Sequence, residues 1–216
     1  MLTLTKKIKF AMRHYGFESV FVIGPQGCGK TTYAMLVAYE IYRDWDKVLH
    51  YVVFDPLEIM DEIEQSLEKN QRIPLIVFDD AGVHLSKYLF HTSEGFKLAI
   101  AMNALFNLMR TVCAGVIFTS PDMDTLKEIR KKAWIVVEPQ KVPGSKYSVE
   151  RKAVIYRKRI LASGYTCVKR IGEDYYRLDS IPCWVRAEYE EKRKKATKPV
   201  IVLTKQALRK VRSKHA

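Results

Sequence analysis

Cysteine is scarce in this sequence, and no two cysteines lie close together. None of the four forms a C-x-x-C motif, so we expect neither a zinc site nor a disulfide framework. The four residues are Cys28, Cys113, Cys167 and Cys183. A Cys167–Cys183 disulfide is the one pairing that the sequence does not exclude. We nevertheless expect free thiols in a reducing environment.

Long apolar segments are also absent. No window offers 18 uninterrupted apolar residues, so no membrane span is expected. The first 17 residues lack the long apolar centre of a signal peptide. We therefore expect a cytoplasmic protein, in the host cytoplasm if its source is a virus. Amide side chains are few, with three Asn and five Gln, which favours a source in a hot environment.

Excess charge of one sign occurs only towards the end of the chain. Residues 151–216 hold 19 Lys and Arg against 6 Asp and Glu, whereas residues 1–150 hold 18 of each. The net charge of +13 therefore comes entirely from the last third. Because Lys and Arg neutralise phosphates, this pattern favours nucleic acid as a partner. The alternative is a solvated basic surface with no partner.

The most informative stretch is Gly-Pro-Gln-Gly-Cys-Gly-Lys-Thr at residues 24–31, which matches the phosphate-binding motif G-x-x-x-x-G-K-[ST]. An apolar strand is predicted over residues 17–23 and a helix over residues 30–42, which is the context that the motif requires. Loop N–H groups and the start of the helix both favour an anion. We expect Lys30 to reach the β- and γ-phosphates of ATP and the Thr31 hydroxyl to hold Mg²⁺. The predicted nucleotide-binding residues are Gly24, Pro25, Gln26, Gly27, Cys28, Gly29, Lys30, Thr31 and Thr32.

A pair of acidic residues follows the apolar run at residues 74–78. An apolar strand that ends in an acid downstream of a P-loop is the Walker B pattern, and it predicts Asp79 as a Mg²⁺ ligand. Asp80 is predicted to lie beside the γ-phosphate and to polarise the attacking water. Many such ATPases have Glu at this position. The shorter side chain of Asp80 therefore leaves two alternatives open, slower hydrolysis or a different role for this residue.

A second polar strand end follows residues 115–118. Thr119 and Ser120 are the candidates for a γ-phosphate sensor beside the Walker B strand, with Thr119 preferred. Ser120 or Asp122 is then expected to cap the next helix.

Strands and helices are predicted to alternate five times. The second strand is predicted over residues 48–54 and the fifth over residues 134–137, with helices between the strands. This alternation is the signature of an α/β fold with a parallel sheet between helices.

Four segments in this order resemble the AAA+ branch of P-loop ATPases: GPQGCGKTTYAMLVAYEIY, LIVFDDAG, VIFTSPD and DTLKEIRKKAWIVVE. The chain is similar to helicase loaders, replication initiators and transposition-helper ATPases over residues 17–140. It also looks like small DNA-handling ATPases of archaeal viruses and plasmids. The resemblance implies an ASCE-type P-loop NTPase with strand order 5-1-4-3-2, ATP and Mg²⁺ as cofactors, and a homo-oligomeric ring or filament. It also implies an arginine from the neighbouring subunit, with Arg130 expected in that role and Arg110 in reserve.

The chain departs from this family after Glu138. A division into a P-loop ATPase core at residues 1–140 and a basic extension at residues 141–216 is therefore predicted. Where the family carries a helical lid, residues 152–178 predict a β-hairpin. A helix over residues 184–197 and, beyond Pro199, a separate basic segment complete the extension. FtsK/HerA-like pumping ATPases and filamentous-phage assembly ATPases also lack this lid, so they are alternative relatives of the chain.

The predicted hairpin interleaves basic and aromatic side chains, as single-stranded nucleic acid favours. An ordinary exposed sheet face is the alternative. The candidate DNA-binding residues are Arg157, Lys158, Arg159, Lys169 and Arg170.

We therefore expect an oligomeric Mg-ATP-dependent ATPase that acts on DNA, of the helicase-loader or replication-initiator type. A helicase or another replication or packaging protein is a further expected partner. A DNA packaging or pumping ATPase of the FtsK/HerA type is one alternative. A nucleotide-gated DNA-binding adaptor with negligible turnover is the other.

Overall fold

The structure is a computed structural model that describes residues 1–81, 104–121, 133–142, 148–163 and 166–212. The chain divides into two units, Met1–Ile181 and Pro182–Ala216. In the described ranges, no helix is long and apolar enough to cross a membrane.

The first unit is built on one sheet, which has seven strands among the described residues. The strands are β1 (Glu18–Ile23), β2 (Val52–Val53), β3 (Ile76–Phe78), β4 (Gly115–Ser120), β5 (Ile135–Lys141), β6 (Glu150–Ile160) and β7 (Thr166–Arg177). The helices are α1 (Thr3–Arg13), α2 (Lys30–Tyr42), α3 (Trp45–Tyr51) and α4 (Met60–Glu68), with 3-10 turns at Pro56–Ile59 and Leu178–Ser180. Residues 104–112 are helical as well.

The strand order is β2-β3-β4-β1-β5-β6-β7. The first five strands pair in parallel, and from β5 inwards they follow the expected order 5-1-4-3-2. The complete order differs from that expectation because β6 and β7 add antiparallel strands beside β5. Strand β1 is therefore flanked on both sides, by β4 and by β5, just before the chain enters the glycine loop.

The predicted boundary at residue 140 does not coincide with a break in the structure. Strand β5 pairs with β6 from Ile135 opposite Arg157 to Lys141 opposite Arg151. The backbone groups along the edge of β5 would otherwise lie unpaired, and the hairpin satisfies them. The basic hairpin thus extends the core sheet, and the division between the two units comes after Ile181.

One predicted strand is wrong in most of its length. Residues 48–54 were expected to be extended because they are rich in β-branched and aromatic residues. The structure instead has α3 up to Tyr51, and only Val52–Val53 forms a strand. The Asp44 side chain accepts two backbone N–H groups of the first turn of α3, at 2.9 and 3.3 Å. This helix cap outweighs the strand propensity of the segment.

An aromatic cluster holds the central strands together. The rings of Phe78 and Phe118 stack with centroids 5.3 Å apart. Phe106 meets both rings edge-on, at 6.0 Å from Phe78 and 5.0 Å from Phe118. All three side chains are buried. The cluster ties β3, β4 and the helical residues 104–112 into one core, which aligns the carboxyl ends of the strands.

A buried carboxylate ties β7 to two helices. Asp174 accepts hydrogen bonds from the Tyr33 hydroxyl and from the Thr3 N–H, each at 2.7 Å. The residue that precedes α1, Leu2, offers no side-chain cap, so Asp174 caps this helix from across the fold. Burial, with a further contribution from the Asp174 charge, raises the pKa of Tyr33 well above its ordinary value. The hydroxyl therefore stays a donor.

The second unit contains α5 (Cys183–Arg212), a helix of 30 residues. The expected helix end at Thr197 is wrong, because α5 runs through Pro199 without a break. Proline removes one backbone hydrogen bond but the turns on both sides keep theirs. The expected separate basic segment is thus, up to Arg212, part of the same helix.

The four cysteines are free thiols, as expected. The Cys113 thiol donates to the Met109 carbonyl at 3.1 Å. Burial raises the pKa of this thiol to about 12. Cys113 therefore stays protonated at neutral pH.

The aromatic cluster predicts a large loss of stability when its shared ring is removed. Phe118→Ala should lower the free energy of unfolding by about 3–5 kcal/mol, because it leaves a cavity between two rings. Urea denaturation of the full chain measures this. The matched control is Phe10→Ala, since Phe10 is 64% exposed. Equal losses in the two variants would contradict the packing described here.

Candidate nucleotide-binding site

The candidate site lies where three parallel strands end at one edge of the sheet. Ile23, the last residue of β1, is in register with Ser120 at the end of β4. Phe78, the last residue of β3, is in register with Phe118 of β4. This register brings the glycine loop, Asp79 and Thr119 to the same edge, as the sequence predicted.

The loop turns tightly between β1 and α2. Gly27 and Gly29 have φ angles of +76° and +100°, which favour glycine. A Cβ on Gly29 would lie 2.8 Å from both the Tyr176 Oη and a methyl of Leu178, so close packing demands glycine there too. Gly29 is the N-cap of α2. The first N–H groups of this helix therefore lie at the loop, which suits an anion.

The Lys30 side chain folds back over the loop. Its Nζ donates to the carbonyls of Gly24 at 2.7 Å and Pro25 at 3.0 Å. The residue is only 8% exposed. A positive charge is therefore held against the anion-binding loop, where the motif placed it.

A buried carboxylate, Asp79, joins three segments. The Thr31 hydroxyl donates to both of its oxygens, at 3.0 and 3.1 Å. The Thr119 hydroxyl donates to its Oδ1. Thr119 in turn accepts the Asp80 N–H at 2.9 Å. Asp79 and Thr119 are fully buried, so this network holds the first turn of α2 and the ends of β3 and β4 together.

The pair Thr31 and Asp79 fits Mg²⁺ chemically. Both offer hard oxygen atoms, which this ion prefers. In the described part of the chain, no cluster of three His, Cys, Asp or Glu residues could hold a metal by itself. Mg²⁺ usually keeps waters and phosphate oxygens as its other ligands, so two protein oxygens are sufficient.

The structure adds to the predictions for the neighbouring polar residues. Thr119 was expected to sense the γ-phosphate, and it lies at the site with its proton directed to Asp79. Asp80 follows with a φ of +45°, a backbone conformation that is uncommon outside glycine. The sensor role of Thr119 and the water-polarising role of Asp80 stay predictions. Arg130 lies outside the described residues.

Sequence reasoning missed a second wall of the site, which the hairpin supplies. The Tyr176 hydroxyl donates to the Gly29 carbonyl at 3.0 Å. Burial raises the pKa of Tyr176, so its hydroxyl keeps this proton. Arg151 lies directly opposite Tyr176 in the strand register, and its Cγ is 3.5 Å from the position of a Cβ on Gly29. Nothing in the local sequence could reveal this, because β6 and β7 reach the loop only through the sheet.

The five candidate DNA-binding residues lie along the hairpin at its other end. Ile135, which begins β5, pairs with Arg157, so the hairpin beyond this residue extends past the start of β5. This is the edge of the sheet opposite the glycine loop. The structure thus separates the two candidate sites along the strands of a single sheet.

Their surroundings differ from residue to residue. Arg157 is paired with Glu18, and Arg170 with Glu173. Arg159 and Lys169 are exposed. In the strand register Arg157 is opposite Lys169, which places Arg157, Arg159 and Lys169 on one face of the hairpin. Lys158 and Arg170 belong to the other face.

Comparison with known proteins gives relatives in viruses. Uncharacterized protein B-251 of Sulfolobus spindle-shape virus 1 is 34% identical over 212 residues, which cover 89% of this chain and 80% of that protein. Uncharacterized protein ORF286 of Acidianus two-tailed virus is 32% identical over 142 residues, 64% of this chain and 49% of that protein. Both relatives agree with the expected archaeal virus as a source.

Among solved structures, the genome packaging NTPase B204 of Sulfolobus turreted icosahedral virus 2 in complex with AMPPCP is similar, with a TM-score of 0.37. It is 14% identical, and the similarity covers 72% of this chain and 98% of that one.

The model of one protein family matches residues 20–131 of this chain, from β1 past the Walker B strand and β4. These residues contain the glycine loop, Asp79 and Thr119, whose geometry is described above. They are slightly more than half of the chain. The chain therefore belongs to the ATPase family associated with various cellular activities (AAA), and the expected AAA+ P-loop ATPase is confirmed.

Proposed function

We propose that this AAA ATPase binds Mg-ATP at the glycine loop and acts as an oligomer on DNA. The observation that carries the proposal is the contact of Thr31 with Asp79 beside Lys30. These three residues place a hydroxyl, a carboxylate and an ammonium around one anion-binding loop. That combination suits a magnesium-bound triphosphate.

Each residue of the loop has a separate task in this proposal. The backbone N–H groups of the loop, to which Pro25 contributes none, surround the phosphates, and Lys30 contacts the β- and γ-phosphates. Thr31 and Asp79 hold Mg²⁺, which when bound neutralises phosphate charge. Thr119 keeps Asp79 in position through its hydroxyl.

Hydrolysis needs a water oriented at the γ-phosphate. Asp80, directly after the metal-binding Asp79, is proposed to accept a proton from this water. An arginine from a neighbouring subunit, proposed as Arg130, completes the charge compensation. This requirement for a neighbour is the reason for proposing an oligomer.

The basic hairpin is proposed as the DNA-binding element. Arg159 and Lys169 are exposed and share a face near the end of the hairpin. Phosphate contacts by Lys and Arg depend on charge rather than base sequence, so the binding should be sequence-tolerant and sensitive to salt. A helicase-loader or replication-initiator role would use this contact to place a partner on DNA.

One observation favours a DNA-pumping ATPase as a second candidate. The AAA+ ATPases that this chain resembles carry a helical lid after the fifth strand, where the sequence of this chain predicts a hairpin. Strands β6 and β7 continue the sheet at this position. Pumping ATPases of the FtsK/HerA type resemble this chain in lacking the lid.

Turnover with and without DNA tests the proposal directly. ATP hydrolysis by the full chain should rise when single- or double-stranded DNA is added. Lys30→Ala should lower turnover by at least about 100-fold, because it removes a charge that stabilises the transferring phosphoryl group. Lys47→Ala, at an exposed lysine, is the matched control.

The outcomes separate the candidates. Continuous turnover that depends on duplex DNA favours the pumping ATPase, and stimulation without sustained duplex dependence favours the loader. Turnover that no DNA changes contradicts a DNA-dependent role. ATP binding without turnover under every condition leaves the nucleotide-gated adaptor.

The Asp79 network predicts that the Thr119 hydroxyl matters even before nucleotide binds. Thr119→Val should lower the free energy of unfolding by about 1–3 kcal/mol, because a buried carboxylate loses a donor and the Asp80 N–H loses its acceptor. It should also raise the Mg²⁺ concentration needed for half-maximal turnover. Urea denaturation and a Mg²⁺ titration measure the two effects.

Thr119→Ser is the control for this prediction, since it keeps the hydroxyl. It should retain the Mg²⁺ requirement of the parent protein. If Thr119→Val also retains it, Thr119 does not position the metal ligand.

Charge reversal at the hairpin tests the DNA contact. The double variant Arg159→Glu and Lys169→Glu should weaken DNA binding by about 10- to 100-fold at low salt, because it removes two phosphate contacts and adds repulsion. The slope of log Kd against log salt should fall by about 2. Fluorescence anisotropy with labelled DNA at several salt concentrations measures both.

The control reverses two exposed lysines elsewhere in the first unit, Lys47 and Lys69. This variant has the same net charge as the hairpin variant. An equal loss of affinity in both would show that binding follows net charge alone and would contradict a specific hairpin contact.

A further inference from the structure

Arg151 is a buried cation for which the described structure provides no anion. The side chain is 5% exposed. Arg151 is the second residue of β6, at the end of this strand that lies next to the glycine loop. Its Nη1 donates to the carbonyls of Ser148 at 2.5 Å and Glu150 at 2.8 Å. Within the described ranges, its Nε has no hydrogen-bond partner and no carboxylate forms an ion pair with it. A buried charge in this state is costly unless an anion compensates it.

The position of Arg151 points to such an anion. Its Cγ lies 3.5 Å from where a Cβ on Gly29 would be, and Gly29 caps the anion-binding end of α2. Tyr176, directly opposite Arg151 in the register, donates to the Gly29 carbonyl. Arg151 therefore lies against the P-loop and is held there by a strand that itself contacts the loop.

The strand order decides which end of the nucleotide Arg151 faces. Asp79 and Thr119 lie on the β3 and β4 side of β1, whereas Arg151 lies beyond β5 on the other side. Thr31 and Asp79 would hold Mg²⁺, which would neutralise charge on the terminal phosphates, so we place those phosphates on the β3 and β4 side. The opposite side of the loop is left for the phosphates nearest the nucleoside.

We propose that Arg151 is a phosphate-binding residue of the nucleotide site, and that it contacts the α- and β-phosphate end that ATP and ADP share. The inference rests on the proposed nucleotide site at the glycine loop, but not on any action on DNA. A guanidinium fits phosphate oxygens with two parallel N–H donors, and its rigid fork suits a fixed ligand. The hairpin thus contributes a cation to the site within the same subunit.

Nucleotide titrations of the full chain test this contact. In the presence of Mg²⁺, Arg151→Ala should weaken binding of fluorescent mant-ATP and mant-ADP by a similar factor, about 10- to 100-fold for a lost charge-assisted pair. Arg151→Lys should recover part of the affinity, because it keeps the charge and loses the fork. Arg177→Ala is the matched control, since Arg177 is an exposed arginine on the neighbouring strand, paired with Asp179.

A second measurement separates the phosphate contact from support of the fold. Magnesium tripolyphosphate, which has no nucleoside, should raise the melting temperature of Arg177→Ala more than that of Arg151→Ala. Melting without any ligand reports the structural effect of each substitution. If Arg151→Ala melts lower but gains the same shift with tripolyphosphate, Arg151 only supports the fold and the proposal fails.

The other outcomes of the nucleotide titrations also decide whether the proposal holds. Unchanged affinity in Arg151→Ala overturns the proposal, and a loss for mant-ATP alone overturns the placement at the shared phosphates. Lys30→Ala, measured in the same titrations, distinguishes a failure of the Arg151 contact from a failure of the nucleotide site itself. If Lys30→Ala also leaves affinity unchanged, the nucleotide site at the loop is wrong, whereas a loss in Lys30→Ala alone is a failure of Arg151 only.

Discussion

The arrangement of the site depends on one buried carboxylate, Asp79. Its side chain accepts hydrogen bonds from the hydroxyls of Thr31 in α2 and Thr119 in β4, and its backbone N–H donates to the Val53 carbonyl at 2.9 Å. A fully buried carboxylate is stable only with such donors, so the two segments that supply them, α2 and β4, cannot separate from Asp79 without a large cost. The same oxygens are suited to a metal ion. The interaction that holds the strand ends together is therefore also the one that prepares the site for Mg-ATP.

The hairpin provides the corresponding constraint on the other side of β1. Asp174 and Tyr176 are two residues apart on β7, so both side chains point to the same face of the sheet, which carries α1 and α2. One caps α1 and bonds to Tyr33, and the other bonds to the Gly29 carbonyl. A single strand thereby contacts α1, α2 and the glycine loop. Lys169 of the basic face precedes Tyr176 by seven residues on this strand, which corresponds to about 23 Å at the rise of a β-strand. The nucleotide site and the proposed DNA contact are thus joined by one strand, whose pairing with β6 shifts register once, between Ile155 and Tyr156.

Local patterns in the sequence predicted the elements whose signal is complete within a short segment. The glycine motif with its strand and helix predicted residues 30–42 as α2 without error, because the loop conformation and the helix start are both encoded there. The pattern failed where two local signals competed. Residues 48–51 have strand-forming side chains, but the cap from Asp44 made them helical. Pro199 was read as a helix end, whereas the loss of one backbone hydrogen bond did not stop α5.

The sequence by itself determined the P-loop, the acidic strand end, the alternating α/β order and the location of the basic charge, since each depends on residues close together in the chain. Only the tertiary structure decided which distant residues meet. The partnership of Asp79 with Thr31 and Thr119 follows from parallel register, and the places of Arg151, Asp174 and Tyr176 follow from the antiparallel addition of the hairpin to β5. Strand pairing carries no local signature that names its partner, because the backbone groups of every strand offer the same hydrogen bonds. The choice is made by the burial of whole faces, which exists only when the sheet has formed.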